Sequence, residues 1–333
     1  MKIYSSKALS AKLAPLLPRR LHYCEAGARG GIGTPWTEFE ELLEITGFEP
    51  EESECARLQK LAAAHQSFYP YALNDSPGPC SFHVTKKASS SSIYKPNRVL
   101  LDNFPIRDWF DVVSVESLVA TTLDELSAQK KFGSVDFLKL DVQGAELNIL
   151  RGGRNVVGSE VLAIELEVEF AAVYENQPLF ADVDNFLRGE LGFQLQDLRH
   201  SYWKAKPGME MKSLKGQLVF GDALYFRPAS AVVNLGKEKA LLAAVCGLAY
   251  GYPDYALQII EQAEAAKILD TPTAGQWRGA IQAFGKSLRF WNKGNQAISN
   301  FIYLVQLMVE PYHRSWWAST RRLGSIKKFG WFA

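Results

Sequence analysis

Apolar positions follow two rhythms along this chain. Up to about residue 230, short unbroken apolar runs that stop at an acid alternate with stretches where apolar residues recur every three or four positions. Such alternation predicts an α/β fold with a mostly parallel sheet. The clearest unit is VDFLKLDVQGAELNILRGG, residues 135–153. Phe137, Leu138 and Leu140 have no helical period and end at Asp141. After Gly144, residues Ala145, Leu147, Ile149 and Leu150 resume at helical spacing, and Gly152 and Gly153 close the helix. In an open α/β sheet, ligands bind outside the carboxyl ends of the strands, where Asp141, Gln143 and Glu146 project. The alternative is that Asp141 or Gln143 only caps the helix.

The same rules give the other elements in order. Residues 5–17 form an amphipathic helix ended by Pro15 and Pro18, and Leu21 to Glu25 the first strand. A glycine-rich turn, AGARGGIG, follows, then a helix from Thr34-Pro35 to Leu43 and a second strand from Glu44 to Phe48. Cys55 to Ala64 is helical, and Phe68 to Leu73 is a third, irregular strand around Pro70. Phe82 to Thr85 and Val112 to Val119 are extended. Between them the loop KKASSSSIYKPN is either a flexible solvated segment or a lid facing a substrate. A helix starts at Thr121-Thr122, Val161 to Glu165 is the fifth strand, and Phe180 to Leu191 is helical. Phe193 to Leu198 and Gln217 to Arg227, joined by a loop with Trp203, form a late antiparallel pair.

From about Lys237 the texture changes to helices alone. Lys237 to Tyr250, Pro253 to Ile268, Gly275 to Trp291 and Asn295 to Val309 carry the helical period, with no alignable repeat. The domains read as 1–230, α/β, and 231–333, a helical extension. Charge follows this division, since the two parts carry −5 and +6 while the whole carries +1. Residues 312–333 hold five Lys or Arg, no acid, and five Trp or Phe. This tail either packs on the domain or lies on an anionic membrane surface. The near-neutral whole argues against nucleic acid. Cys24, Cys55, Cys80 and Cys246 have neither paired spacing nor a histidine pattern, so no disulfide framework or zinc site is indicated, and a cytosolic location is expected. No apolar run reaches the length of a transmembrane helix, and no signal peptide is legible.

The glycine turn carries chemistry. Glycines at Gly27 and Gly31, with Ala28 and Arg29 between, let a backbone pass close under a ligand, and the start of a following helix favours an anion. Glu49, before Pro50 at the tip of the second strand, stands where a ribose diol is gripped. The spacing is not G-x-G-x-x-G, so a dinucleotide is served less well than a cofactor with a small polar tail such as S-adenosylmethionine. Glu25, at the first strand's end, is a candidate for its ammonium. Ala72, Leu73 and Asp75, after the third strand, are candidates beside an adenine.

These segments together resemble the FkbM family of S-adenosylmethionine-dependent methyltransferases. The resemblance covers about residues 20–228 and rests on FLKLDVQGAELNILRGG, EAGARGGIG, GFEPE, YALND and SSSSIYKPN. Two positions depart from it: many members carry Asn where Arg29 stands, and Asp is commoner where Glu25 stands. The resemblance implies a Rossmann-like, seven-stranded class I methyltransferase sheet and methyl transfer to an oxygen, often on a sugar of a polysaccharide, glycolipid or natural product. Fold likeness does not choose the acceptor.

Transfer from a sulfonium is an in-line displacement, so a base must take the acceptor's proton. Asp141 is the first candidate, Glu146 and Glu169 follow, and Lys139 is an outside choice that alternatively pairs with a buried acid. One of Glu165, Glu167 and Glu169 is expected to face the crevice of Asp141. Ser91, Ser92, Tyr94 and His200 are substrate-side candidates, His200 because the loop after the sixth strand borders an acceptor site. No metal is assigned, since hard-cation sites are not legible in scattered carboxylates. Two other classes stay open: a nicotinamide-dependent oxidoreductase, and a catalytically silent module that recruits a partner through its C-terminal helices.

Overall fold

The computed structural model describes residues 6–210 and 216–286. The helix expected at 295–309 and the basic aromatic tail 312–333 lie outside the described residues. In chain order the strands are β1 (Leu21–Ala26), β2 (Leu43–Phe48), β3 (Gln66–Tyr69), β4 (Ala72–Leu73), β5 (Gly78–Thr85), β6 (Val112–Thr121), β7 (Phe137–Leu140), β8 (Ala163–Glu169), β9 (Gln194–Trp203) and β10 (Gln217–Phe226). Seven form one sheet in the order β3-β2-β1-β7-β8-β10-β9, with β10 antiparallel to both neighbours and the pairs from β3 to β8 parallel. This is the α/β seven-strand arrangement expected from the alternation and from the class I resemblance.

Strand alternation sorts the side chains of this sheet. Cys24, Ala26, Leu138, Leu140, Ile164, Leu166 and Val168 share one face and pack in a single core with Leu147, Ile149 and Leu150 of the helix Glu146–Gly152. The opposite face carries Tyr23 stacked on Phe137, with ring centroids 5.5 Å apart, and then a charged row. In that row Glu25 lies opposite Lys139, and Lys139 opposite Glu165.

Several expectations are corrected. No α-helix follows the glycine turn: residues 36–42 make two 3₁₀ turns, Trp36–Glu38 and Glu40–Leu42. Their buried residues Trp36, Phe39 and Leu42 recur every third position, the period of a 3₁₀ helix and not of an α-helix. The third strand breaks at Pro70, which has no N–H for a ladder, so β3 stays in the main sheet while β4 joins β5 and β6 in a separate three-stranded sheet. The fifth strand continues through Glu169, which places Glu165, Glu167 and Glu169 inside β8 on one face rather than beyond its end. Strand β9 likewise runs on through Trp203, so His200 and Trp203 are in a strand and not in a loop. The helix Glu146–Gly152 ends at Gly152 with Gly153 as its cap, as expected, and a second helix, Arg154–Ser159, follows directly. The missing side chain of Gly152 also serves a close approach: a Cβ there would stand 2.1 Å from the carbonyl oxygen of Asn74.

The chain divides into two compact units, one holding 21–32 and 43–228, the other 1–20, 33–42 and 229–333. The segment between glycine turn and β2 thus groups with the C-terminal helices, a division that the composition change near residue 231 does not reveal. In the described part of that second unit, Trp36 donates its indole N–H to the Tyr250 hydroxyl at 3.0 Å. Helices Lys237–Ala249 and Pro253–Ala265 bury an alanine-rich seam there.

Candidate functional site

Three strand ends meet at the turn after β7. The Asp141 N–H donates to the Ala26 carbonyl at 3.1 Å, and the Gly27 and Ala28 N–H groups both donate to the Phe48 carbonyl, at 3.0 and 3.1 Å. These bonds draw the ends of β1, β2 and β7 together. Gly27 has φ +82°, and a Cβ on it would stand 2.0 Å from the Asp141 carbonyl oxygen. Only glycine fits that point.

The turn itself is braced by Glu146. Its two carboxylate oxygens accept the N–H groups of Val142 at 2.8 Å and Gly144 at 3.0 Å. The D-x-x-G-x-E spacing of 141–146 has this local reason: the acid at the start of the helix reaches back to the turn's orphan donors. Burial pushes the Glu146 carboxyl up to about 7, against those backbone hydrogen bonds, with the Asp141 charge adding to the rise. Among the runners-up for a base, Glu146 is therefore the one whose oxygens already hold the turn.

Gln143 is the hub of the site. It stands in the left-handed region with φ 60°. Its amide nitrogen donates to Asp141 Oδ1 at 3.1 Å and to Glu167 Oε1 at 3.0 Å, and its amide oxygen accepts from the Tyr174 hydroxyl at 3.1 Å. Its main-chain carbonyl accepts from the Ser92 hydroxyl at 2.7 Å. The Asp141 side chain is exposed at the sheet's carboxyl edge, whereas Glu169 is 4% exposed.

Glu167 and Glu169 are both raised well above the usual carboxylate range. For Glu167 the cause is burial first, then the charges of Asp141, Glu169, Glu146 and Asp222. For Glu169 it is burial, then Glu146, with the Gln177 amide opposing and Asp141 adding. All four acids thus feel one another, which is the pattern of a functional cleft.

At the glycine turn, Gly30 and Gly31 have positive φ and open space beside them. With no α-helix behind the turn, its environment is acidic rather than anion-seeking. The Gly30 N–H donates to Glu54 at 3.2 Å, and Arg29 pairs with Glu51 and stands 3.7 Å from Glu49. Glu49 is buried at the tip of β2, where its Oε1 accepts the Glu51 N–H at 3.0 Å; Pro50 is half-buried beside it. Burial raises its carboxyl, while the Glu51 N–H and Arg29 pull it down.

Glu25 and Lys139 do not reach the turn as separate groups. Lys139 Nζ donates to Glu25 Oε1 at 2.5 Å, and the Tyr23 hydroxyl donates to Glu25 Oε2 at 3.1 Å. Lys139 is thereby the partner of a buried acid. Burial opposes its charge, yet Glu25, Asp141 and Glu165 raise it overall.

The remaining candidates frame the turn. Ala72 and Leu73 are buried in β4, and Asp75 is exposed beyond it. The turn they lead into is docked by Asn148, which donates to Asn74 at 3.0 Å and accepts from the Tyr94 hydroxyl at 3.1 Å. The serine run is exposed at Ser89 and then packs inward: Ser90 and Ser92 are buried, Ser91 accepts the Thr85 N–H at 3.0 Å, and Ser92 accepts the Tyr94 N–H at 3.0 Å. His200, exposed in β9, sits opposite Gly221 with its ring 6.0 Å from Phe170. It belongs to the sheet face opposite that of Glu167, because Glu167 pairs with Asp222, one residue on.

Sequence reasoning passed over Tyr174, Asn148 and Gln177, and did not single out Glu167 from its two neighbours. Only strand pairing sets Glu167 apart, since it is level with Asp141 once Leu140 and Leu166 are paired. Among the described residues, no three His, Cys, Asp or Glu side chains are grouped to hold a metal ion, and no helix is long and apolar enough to cross a membrane.

The model of the methyltransferase FkbM domain matches residues 26–195. No curated protein matches. Among solved structures, methyltransferase FkbM from Methylobacillus flagellatus KT is similar at 14% identity and a TM-score of 0.36, over 62% of this chain and 43% of that one. This chain thus spans less than half of that protein's length. Magnesium protoporphyrin IX methyltransferase from Synechocystis PCC 6803, with bound S-adenosylmethionine, is similar at 13% identity and a TM-score of 0.33, over 67% of this chain and 79% of that one. TrmK from M. capricolum, in complex with S-adenosylhomocysteine, is similar at 6% identity and a TM-score of 0.30, over 85% of this chain and 100% of that one. The strand order, not these overlays, identifies the fold.

Proposed function

Because the chain belongs to the FkbM methyltransferase family, we propose that it is a cytoplasmic S-adenosylmethionine-dependent O-methyltransferase acting on a sugar hydroxyl of a glycan, glycolipid or natural product. The observation that carries this reading is the meeting of β1, β2 and β7 at Gly27, where the missing Cβ lets the glycine turn lie against the Asp141 backbone. The residues present fit the nucleoside cofactor. Gly30 and Gly31 leave open space over the turn, and Glu49 keeps its Oε2 without a partner among the described residues. Buried at a strand tip, that oxygen suits a ribose hydroxyl.

S-adenosylmethionine supplies an electrophilic methyl group when bound. Glu49 would hold the ribose through its hydroxyls, and the Asn74 to Asp75 turn, held by Asn148, would border the base. A carboxylate of this sheet edge would take the proton of the acceptor hydroxyl. The acceptor class follows from the family resemblance. Four free cysteines support a reducing compartment.

Titration calorimetry with S-adenosylmethionine, S-adenosylhomocysteine and NAD tests the cofactor, and transfer of labelled methyl to a panel of sugars tests the acceptor. Binding of the adenosyl ligands followed by alkali-stable label on a sugar oxygen supports the reading. Binding of NAD alone overturns it.

A further inference from the structure

We propose that Asp141 and Glu167, locked together by Gln143, form the seat of the cofactor's sulfonium charge, and that Gln143 is a positioning residue and not a cofactor contact. The inference rests on the cofactor reading above and assigns its charged centre to particular oxygens.

The donor inventory of Gln143 leads to this assignment. A primary amide has two N–H donors, and both are spent, one on Asp141 at 3.1 Å and one on Glu167 at 3.0 Å. Its oxygen takes the Tyr174 hydroxyl and its main-chain carbonyl takes Ser92. No side-chain donor remains for a ligand. The two carboxylates, by contrast, each keep a second oxygen, Asp141 Oδ2 and Glu167 Oε2, with no partner among the described residues.

The nearby cations hydrogen-bond other acids. Lys139 donates to Glu25 while also feeling the Asp141 charge, and Arg199 places Nε and Nη2 on Asp222 Oδ2 at 2.9 and 2.7 Å. Around Glu167 stand Asp141 from the turn, Glu146 from the following helix, Glu169 on its own strand, Asp222 across β10, and the Tyr174 hydroxyl. A sulfonium carries positive charge but no hydrogen to donate. It is held by the field of carboxylate oxygens, so two open carboxylate oxygens, one in the turn after β7 and one on β8, match it. The amide between them has a second effect. Hydrogen bonds to a carboxylate favour its charged form, so Gln143 opposes the burial and repulsion that push Glu167 toward protonation.

The test compares S-adenosylmethionine with S-adenosylhomocysteine, which lacks both the methyl group and the charge. Affinities of the full chain, its Gln143→Asn and its Gln143→Leu variants are measured by calorimetry from pH 6 to pH 9. Asn keeps an amide and tolerates the left-handed backbone, but is one methylene too short to bridge both acids. Without the bridge Glu167 holds its proton to higher pH, which weakens S-adenosylmethionine roughly tenfold below the pH at which it ionises, leaves S-adenosylhomocysteine within about twofold, and is reversed as pH rises. A proportional loss of both ligands overturns the proposal in favour of direct contact, and an unchanged ratio at every pH overturns it as well. If the unmodified chain binds neither ligand, the cofactor reading itself falls, which separates that failure from the other two.

Discussion

The carbonyl oxygen of Asp141 occupies the place where a Cβ on Gly27 would stand, 2.0 Å from it. Backbone of the turn after β7 and backbone of the turn after β1 are thus in contact with nothing between them. Gly27→Ala combines a left-handed φ with a collision against main chain, and we expect it to cost about 3 kcal/mol and to abolish S-adenosylmethionine binding. Gly30 also has positive φ but has nothing within 4 Å of its Cβ position, so Gly30→Ala is expected to cost only about 1 kcal/mol. Urea midpoints of the two variants check the difference.

The Glu25–Lys139 pair makes a second prediction. Glu25 is 2% exposed and Lys139 has its ammonium 2.5 Å away. Removing the cation alone leaves a buried carboxylate uncompensated, so Lys139→Met is expected to destabilise by about 3 kcal/mol or more. Adding Glu25→Gln to it recovers much of that loss. A double-mutant cycle read by chemical denaturation measures the coupling.

Much of this was legible in the sequence because the decisive signals are local. Apolar runs ending at an acid mark β1, β2 and β7, and the glycines of the first turn mark the close approach to Asp141. What the sequence hid depends on neighbours across strands. The period-two pattern lists Glu165, Glu167 and Glu169 as equals; only the pairing of β7 with β8 sets Glu167 level with Asp141 and within reach of Gln143. The serine run reads as polar and solvated until Ser92 is seen to bond the Gln143 carbonyl. Trp36, Phe39 and Leu42 look like one helix because a spacing of three is shared by α and 3₁₀ turns, and the choice between them is made by burial.

Glu146 gives a pH prediction whose sign is fixed by burial. Its carboxyl is raised from 4.5 to about 7, so the folded state holds a proton through a range where the unfolded chain has lost it. Stability from this group is complete below about pH 4.5 and is lost as pH rises through 7, by on the order of 3 kcal/mol. Glu146→Gln removes that dependence, at the expense of one of the two turn hydrogen bonds to Val142 and Gly144. In melts between pH 4.5 and 8 the native chain is expected to lose about 3 kcal/mol relative to Glu146→Gln, so the variant, less stable near pH 4.5 by about one hydrogen bond, becomes the more stable of the two near pH 8.

Glu49 makes a prediction about binding rather than stability. Its carboxyl is raised by burial and lowered by the Glu51 N–H and by Arg29, 3.7 Å away. As a carboxylate it accepts two hydroxyl donors with charge-assisted hydrogen bonds; once protonated it loses that strength. Affinity for S-adenosylmethionine is therefore expected to fall as pH drops through the raised Glu49 value, and Glu49→Gln to weaken binding roughly tenfold at pH 7 with a flatter pH profile. Arg29→Met supplies the directional control. It removes a charge that favours the ionised form, so it must move the midpoint of the affinity profile upward while leaving the affinity at high pH nearly unchanged. A midpoint that moves down, or one indifferent to Arg29, would mean that the titrating group is not Glu49. S-adenosylhomocysteine shares the ribose but not the sulfonium, so its profile must shift in the same way, which distinguishes this carboxylate from the Asp141–Glu167 pair.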